Sequence, residues 1–419
     1  MNKQDLTLLT DLYELTMMQG YYKKGQHETV VFDVFYRHNP CGNGYSVCAG
    51  LDQVIDYIKN LNFTYEDVDY LRSLHIFDDD FLQYLSGFHF TGDIYAIPEG
   101  SVVFPKEPLL KVIAPIMEAQ LVETTILNLI NHQSLIATKT SRVVYAADGD
   151  GIMEFGLRRA QGPDAGLYGA RAAIIGGCVG TSNVLAGQLF DVPVMGTHAH
   201  SWIMTFPDEY TAFKYYAELY PDNCTLLVDT YDTLKSGVPN AIRVFQEFKD
   251  AGKPLKKYGI RLDSGDLAYL SKKARKMLDE AGFPDASICA SNDLDEYLLH
   301  DLKAQGAAIN SWGVGTHLIT SKDCPSFGGV YKLSAIKNEN GEFIPKIKIS
   351  ENTEKITNPG NKTIYRVYEK ETGKIKADLI CFADETFDES QDLLLFDPLE
   401  TWKKTKLAGG DRKSTRLNS

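Results

Sequence analysis

The chain has 419 residues, enough for two domains, one of them of barrel size. A net charge of −13 argues against nonspecific nucleic-acid binding, so an anionic substrate would have to be met by a local pocket of Arg, Lys and backbone N–H groups. Seven scattered cysteines without a CxxC pair argue against a disulfide framework and a zinc ribbon, and fit reduced thiols in the cytoplasm.

The polar start Met1-Asn2-Lys3-Gln4-Asp5, and the breaks at Asp11 and Glu14, predict no signal peptide. No apolar run of about 18 residues predicts a membrane span. Leu8, Leu12, Leu15 and Met18 fall on one face of a predicted helix over 5–23. A strand is predicted at 29–36, a turn-rich loop at 39–44, and helices through 50–86. Pro- and Gly-punctuated short strands follow over 92–117, then a long helix over 118–147.

From there short apolar runs end in polar, glycine-bearing clusters. Seven such runs start at 152, 172, 192, 225, 258, 287 and 309, and helices at 267–281 and 294–305 separate several of them. This is the rhythm of strand–helix units in a parallel barrel, in which chemistry gathers at the C-terminal strand ends. After 328 the pattern returns to strands, at 329–336, 342–349, 363–368 and 375–382. The expected organisation is a discontinuous α/β domain (1–148 with 328–408) and an α/β barrel domain (149–327). Residues 409–419 are polar and aperiodic, and resemble a translated sequencing adaptor; a disordered or non-native tail is expected there.

Several clusters can carry chemistry, each beside a plainer role. Gly313-Val314-Gly315-Thr316 can bring backbone N–H groups close to a phosphate, or simply make a tight barrel turn. Ser291-Asn292-Asp293 can do the same, or cap a helix. Arg261-Leu262-Asp263-Ser264-Gly265-Asp266 offers a bidentate cation beside carboxylates able to hold Mg²⁺ or ribose hydroxyls, or an internal ion pair. Asp229-Thr230-Tyr231-Asp232 poses the same choice. Arg158, Arg159 and Arg171 suggest a local anion site, with a solvated surface as the plainer role. In Gly196-Thr197-His198-Ala199-His200, two histidines on one side of a strand could bind a metal, as in barrel hydrolases, or one could accept a phosphoryl group.

Taken together, six ordered pieces resemble the nicotinate phosphoribosyltransferase family: Thr10–Met17, Glu154–Asp164, Gly180–Val184, Gly196–Trp202, Arg261–Asp266 and Trp312–Thr316. The similarity runs from Leu8 to about Leu395. It implies a type II phosphoribosyltransferase fold, an irregular α/β barrel beside an α/β N-terminal domain, in a homodimer with shared active sites. It implies nicotinate, phosphoribosyl pyrophosphate and ATP as substrates and Mg²⁺ as counter-ion, with no nucleic-acid or membrane partner. By residue, it implies that His200 is transiently phosphorylated, that Phe155 stacks on the pyridine ring, and that Tyr13 of a partner subunit covers the other face. Arg158 would lie near the ring carboxylate. Asp229, Arg261 and Asp263 would handle ribose, phosphate and Mg²⁺, with Asp263 on the metal. Gly313, Gly315 and Thr316 would cradle the 5′-phosphate, with Thr197 and Ser291 also touching substrate. Family members usually extend past this C-terminus, so a truncated chain is a further expectation. Nicotinamide and quinolinate phosphoribosyltransferases share the fold. The Gly180–Asn183 and Gly196–Trp202 pieces suit the nicotinate group better.

Overall fold

A computed structural model describes residues 5–352 and 355–418. Two units result, one drawn from 1–134 and 326–419, the other from 135–325.

The first unit is discontinuous. Its centre is the strand Thr29–Tyr36, whose side chains are nearly all buried. It pairs antiparallel with Leu110–Pro115 on one side and Gly329–Lys337 on the other, so Val34 faces both Leu110 and Tyr331. Strands Asp93–Ala96 and Phe343–Pro345 complete the five-stranded sheet. The N-terminal helix spans Leu12–Lys24, a later start than predicted, because Asp11 is extended at its N-cap. There the Asp11 carboxylate accepts the Thr124 hydroxyl at 2.9 Å instead of capping. The expected structureless tail instead carries a strand, Arg412–Arg416, antiparallel to Lys362–Glu369. An open sheet edge takes up extended backbone of almost any sequence, which a reading of side-chain periodicity cannot detect.

The second unit is built on six parallel strands: β1 (Gly151–Glu154), β2 (Gly180–Thr181), β3 (Cys224–Leu227), β4 (Tyr258–Leu262), β5 (Ser287–Asn292) and β6 (Ser311–Val314). Their order is β2-β1-β6-β5-β4-β3, and the sheet curls into a half-barrel, the irregular form of the expected α/β barrel. Crossover helices include α1 (Pro163–Ile175), α2 (Val238–Asp250), α3 (Leu267–Glu280) and α4 (Glu296–Ala304).

Five of the seven predicted runs are strands. Ala172–Ile175 is instead the last turn of α1, since a short apolar run carries no period of its own and Pro163 starts a helix that continues through it. The run at 192–195 contributes one bridge, Val194 to Thr181. The boundary expected at 148/149 falls at 134/135, inside the long helix Glu123–Ala146. The last turns of that helix pack on the end of α1. A Cβ on Gly176 would come within 2.6 Å of the Ala137 carbonyl and of Thr140.

Candidate active site

The C-terminal ends of β1, β4, β5 and β6 and the segments after β3 and before residue 200 bring most of the expected residues together. Arg261 is the hub. Its side chain, 16% exposed, projects from β4. Nε donates to the Ser291 hydroxyl at 2.8 Å, Nη1 to the Thr197 hydroxyl at 2.6 Å and Nη2 to Asp263 Oδ1 at 3.1 Å. A planar guanidinium serves three diverging acceptors in this way, which a lysine ammonium cannot. Ser291 in turn donates to Asp263 Oδ1, closing a ring of three side chains at the ends of β4 and β5. Burial pushes the Asp263 carboxyl upward, but the Ser291 hydroxyl, the Arg261 guanidinium and His200 outweigh it and hold it below the usual range.

Asp229, just past β3, is nearly fully buried. Its Oδ2 accepts the Asp263 N–H at 2.8 Å and the Ser264 hydroxyl at 2.7 Å. Its Oδ1 is buried without a hydrogen-bond partner. His200, at the start of a short helix and 40% exposed, completes the group. Its Nε2 stands 4.0 Å from Asp229 Oδ1 and 3.7 Å from Asp263 Oδ2, and its Nδ1 is 3.1 Å from the Thr230 hydroxyl. Each carboxylate therefore spends one oxygen on the scaffold and turns the other toward the same imidazole nitrogen.

Phe155 follows β1, its N–H bonded to the Val314 carbonyl at 2.8 Å. Its ring lies across Gly313, where a Cβ would stand 2.5 Å from Cδ2, and it lies 5.9 Å from the Arg261 guanidinium carbon. Gly313 is thus required for the ring, a role the phosphate reading did not include. Gly315 approaches the Phe155 carbonyl, to which a Cβ would come within 3.0 Å. Thr316 opens the four-residue helix Thr316–Ile319.

Two expected residues make no hydrogen bond or ion pair with this cluster among the described residues. Arg158 lies exposed in the turn Leu157–Arg159, and among the described residues it has no ion pair. Tyr13 belongs to the first unit, 45% exposed near the start of its helix. Arg171 places its guanidinium over the Phe190 ring at 5.8 Å.

The metal-hydrolase reading of His198 and His200 fails on geometry. Residues 195–199 are not a strand, so the two rings do not share a face. His198 is buried against Tyr216, with ring centroids 4.6 Å apart, and its Nε2 accepts the Leu227 N–H at 3.2 Å. Burial depresses it to about 4, the neutral state of a core histidine.

Thr230 and Glu154 were missed as site residues. Thr230 meets His200 across 30 positions of sequence, and no linear pattern links the two. Glu154 precedes Phe155 and is fully buried. It accepts the Gly156 N–H and, at 2.6 Å, the Thr181 hydroxyl, and so fixes the turn that carries the ring. Burial raises its carboxyl. A charged residue ending an apolar strand was the available signal. Among the described residues no helix is long and apolar enough to cross a membrane.

Comparison with known proteins identifies the family. A model of the nicotinate phosphoribosyltransferase (NAPRTase) family matches residues 151–372, and models of the N-terminal and C-terminal domains of nicotinate phosphoribosyltransferase match 8–131 and 361–417. The nicotinate phosphoribosyltransferase of Bacillus subtilis (strain 168) is 52% identical over 398 residues, covering 95% of this chain and 80% of the relative. That of Homo sapiens is 33% identical over 450 residues, covering 93% and 82%. The crystal structure of human nicotinic acid phosphoribosyltransferase superposes with a TM-score of 0.83 at 30% identity, covering 98% of this chain and 88% of that one. A nicotinate-nucleotide pyrophosphorylase from Pyrococcus furiosus shares the fold, with a TM-score of 0.72 at 22% identity over 100% of this chain and 90% of that one. The chain is an enzyme and belongs to the nicotinate phosphoribosyltransferase family.

Proposed function

We propose that this enzyme joins nicotinate to the phosphoribosyl group of phosphoribosyl pyrophosphate, giving nicotinate mononucleotide and pyrophosphate, with hydrolysis of ATP coupled through a phosphohistidine at His200. The observation that carries this reading is the convergence at one set of strand ends of a three-armed arginine, two carboxylates facing one exposed histidine, and an aromatic ring seated on a glycine. The pyridine nitrogen attacks C1 of the ribose as the C1–oxygen bond to pyrophosphate breaks. The nitrogen lone pair is already free, so no general base is needed. The protein must orient the ring, stabilise the departing charge and exclude water.

In this reading Phe155 supports one face of the pyridine and Arg158 swings to its carboxylate. Arg261, with Thr197 and Ser291, handles phosphate and ribose oxygens, and Gly313, Gly315 and Thr316 line the 5′-phosphate. Magnesium takes one or two carboxylates and completes its shell with substrate phosphates. Asp263 Oδ2 and the buried, unpartnered Asp229 Oδ1 suit that role, and the bound ion would supply charge neutralisation of the phosphates. A homodimer in the cytoplasm completes the reading. Leu9, Leu12, Tyr13 and Met17 are each at least 40% exposed at the start of the N-terminal helix, a patch suited to a second copy that would lend Tyr13 to the ring.

The test is formation of nicotinate mononucleotide from nicotinate and phosphoribosyl pyrophosphate with Mg²⁺, with and without ATP, following ADP. Product stimulated by ATP with matching ADP is expected. Equal or better turnover of nicotinamide or quinolinate would reassign the substrate.

A further inference from the structure

We propose that His317 and Asp295 are positioning residues that clamp together the two loops given to substrate phosphate and ribose, and so set the affinity for phosphoribosyl pyrophosphate. The inference rests on the substrate reading above and adds to it two residues that touch neither the cluster around Arg261 nor His200.

β5 and β6 are adjacent and parallel, with Ser291 beside Gly313 and Asn292 beside Val314 at the end of the ladder. Beyond that point no ladder pairing joins the two strands among the described residues. Asp295 lies three residues after Asn292 and His317 three residues after Val314, so the two meet directly past the last paired residues. His317 Nδ1 is 3.1 Å from Asp295 Oδ2, and Lys322 Nζ is 2.9 Å from His317 Nε2. An ammonium can only donate, so Nε2 is the acceptor and Nδ1 carries the proton given to Asp295. Both ring nitrogens are committed, and the residue is 8% exposed.

Asp295 holds the other side just as firmly. Its Oδ1 accepts the Leu298 N–H at 2.8 Å and caps α4. One carboxylate thus ties the start of a helix to the loop after β6. The end of β5 needs such a restraint. Asn292 has φ of 130°, a region that side-chain-bearing residues rarely adopt, and such strain persists only where the surroundings over-determine it. Without the clamp, Asn292 can relax, and the segments that follow Asn292 and Val314 lose their fixed separation.

The experiment compares the enzyme with His317→Ala, His317→Gln and Asp295→Asn, varying phosphoribosyl pyrophosphate and nicotinate separately at saturating Mg²⁺ and ATP, with thermal unfolding as a control on folding. His317→Ala is expected to raise KM for phosphoribosyl pyrophosphate about tenfold while moving KM for nicotinate less than twofold. Glutamine can donate to Asp295 and accept from Lys322, and should restore the KM to within about threefold. Asp295→Asn keeps the helix cap and loses the charge. It should raise the same KM, and it decides the matter if the alanine variant does not fold. An unchanged KM for phosphoribosyl pyrophosphate, or equal changes for both substrates, would overturn the proposal. Lack of any nucleotide product from the unaltered enzyme would instead overturn the substrate reading.

Discussion

Gly313→Ala tests the geometry of the site most directly. The three nearest atoms to a new Cβ all belong to Phe155: Cδ2 at 2.5 Å, Cε2 at 2.6 Å and Cγ at 3.5 Å. Carbon atoms prefer about 3.5–4.0 Å, so the ring must retreat by roughly 1 Å. Gly313 itself is not in a left-handed conformation, so no backbone strain is added. Overpacking of this kind costs about 1–3 kcal/mol. A misplacement of roughly 1 Å at an orienting contact can cost about a hundredfold in turnover. The assay is urea unfolding and nicotinate kinetics of Gly313→Ala, Phe155→Ala and the double variant. Alanine at 313 should destabilise the parent by about 1–3 kcal/mol and cost almost nothing once the Phe155 ring is gone. The same cost in both backgrounds would refute the claim that Gly313 exists to seat that ring.

His200→Ala should abolish ATP stimulation and ADP release while leaving ATP-independent nucleotide formation measurable; surviving stimulation would sink the phosphohistidine assignment. Arg261→Lys should fold normally yet lose about a hundredfold or more in kcat/KM for phosphoribosyl pyrophosphate, because one ammonium cannot replace bonds to Thr197, Ser291 and Asp263. Asp263→Asn can still offer an oxygen to Arg261 and Ser291 while removing charge from the side facing His200, so it should keep stability and lose ATP coupling; full coupling would show the charge to be irrelevant. His198, neutral in the core, has its proton affinity depressed from 6.5 to about 4, so the unfolded chain binds the proton first as pH falls. Its contribution to stability is complete above pH 6.5 and fades toward pH 4, by about 2 kcal/mol between pH 6.5 and 5. The stability difference between the parent and His198→Gln in urea should shift by that amount over this range, and a constant difference would mean that His198 does not titrate as a buried group.

The barrel rhythm was legible because parallel strands buried on both faces read as apolar runs and their ends read as polar clusters. Arg261, Asp263 and Ser291 stood out for that reason, and the fold joins them. The histidine pair misled in its metal-binding reading because alternation applies only on a strand, and 195–199 is not one. Ala172–Ile175 misled for the opposite reason, since its four apolar residues suit a helix end as well as a strand. Thr230 and the His317–Asp295 contact were invisible because side-chain bonds between strand ends depend on sheet order, and β5 lies beside β6 only once the sheet has formed. The role of Gly313 was half legible: the sequence asked for a close approach, and only the structure supplies Phe155 as what approaches.

The electrostatic arrangement gives the site its logic. Two acidic side chains beside one another ordinarily repel, and one would take up a proton. Here Asp263 is kept ionised by Arg261 and Ser291, and Asp229 is fastened by a backbone N–H and a hydroxyl that also belong to the 263–264 turn. The scaffold thus uses one oxygen of each acid to hold Arg261, Ser291 and the 263–264 turn in place. The remaining oxygens face His200 Nε2 from 4.0 Å and 3.7 Å. In the proposed reaction such a pair would orient the imidazole when no cation is bound and would join a divalent ion when phosphates bring one. The same two atoms would then link the state of His200 to the presence of the phosphorylated substrate, which is the coupling that an ATP-dependent phosphoribosyl transfer requires.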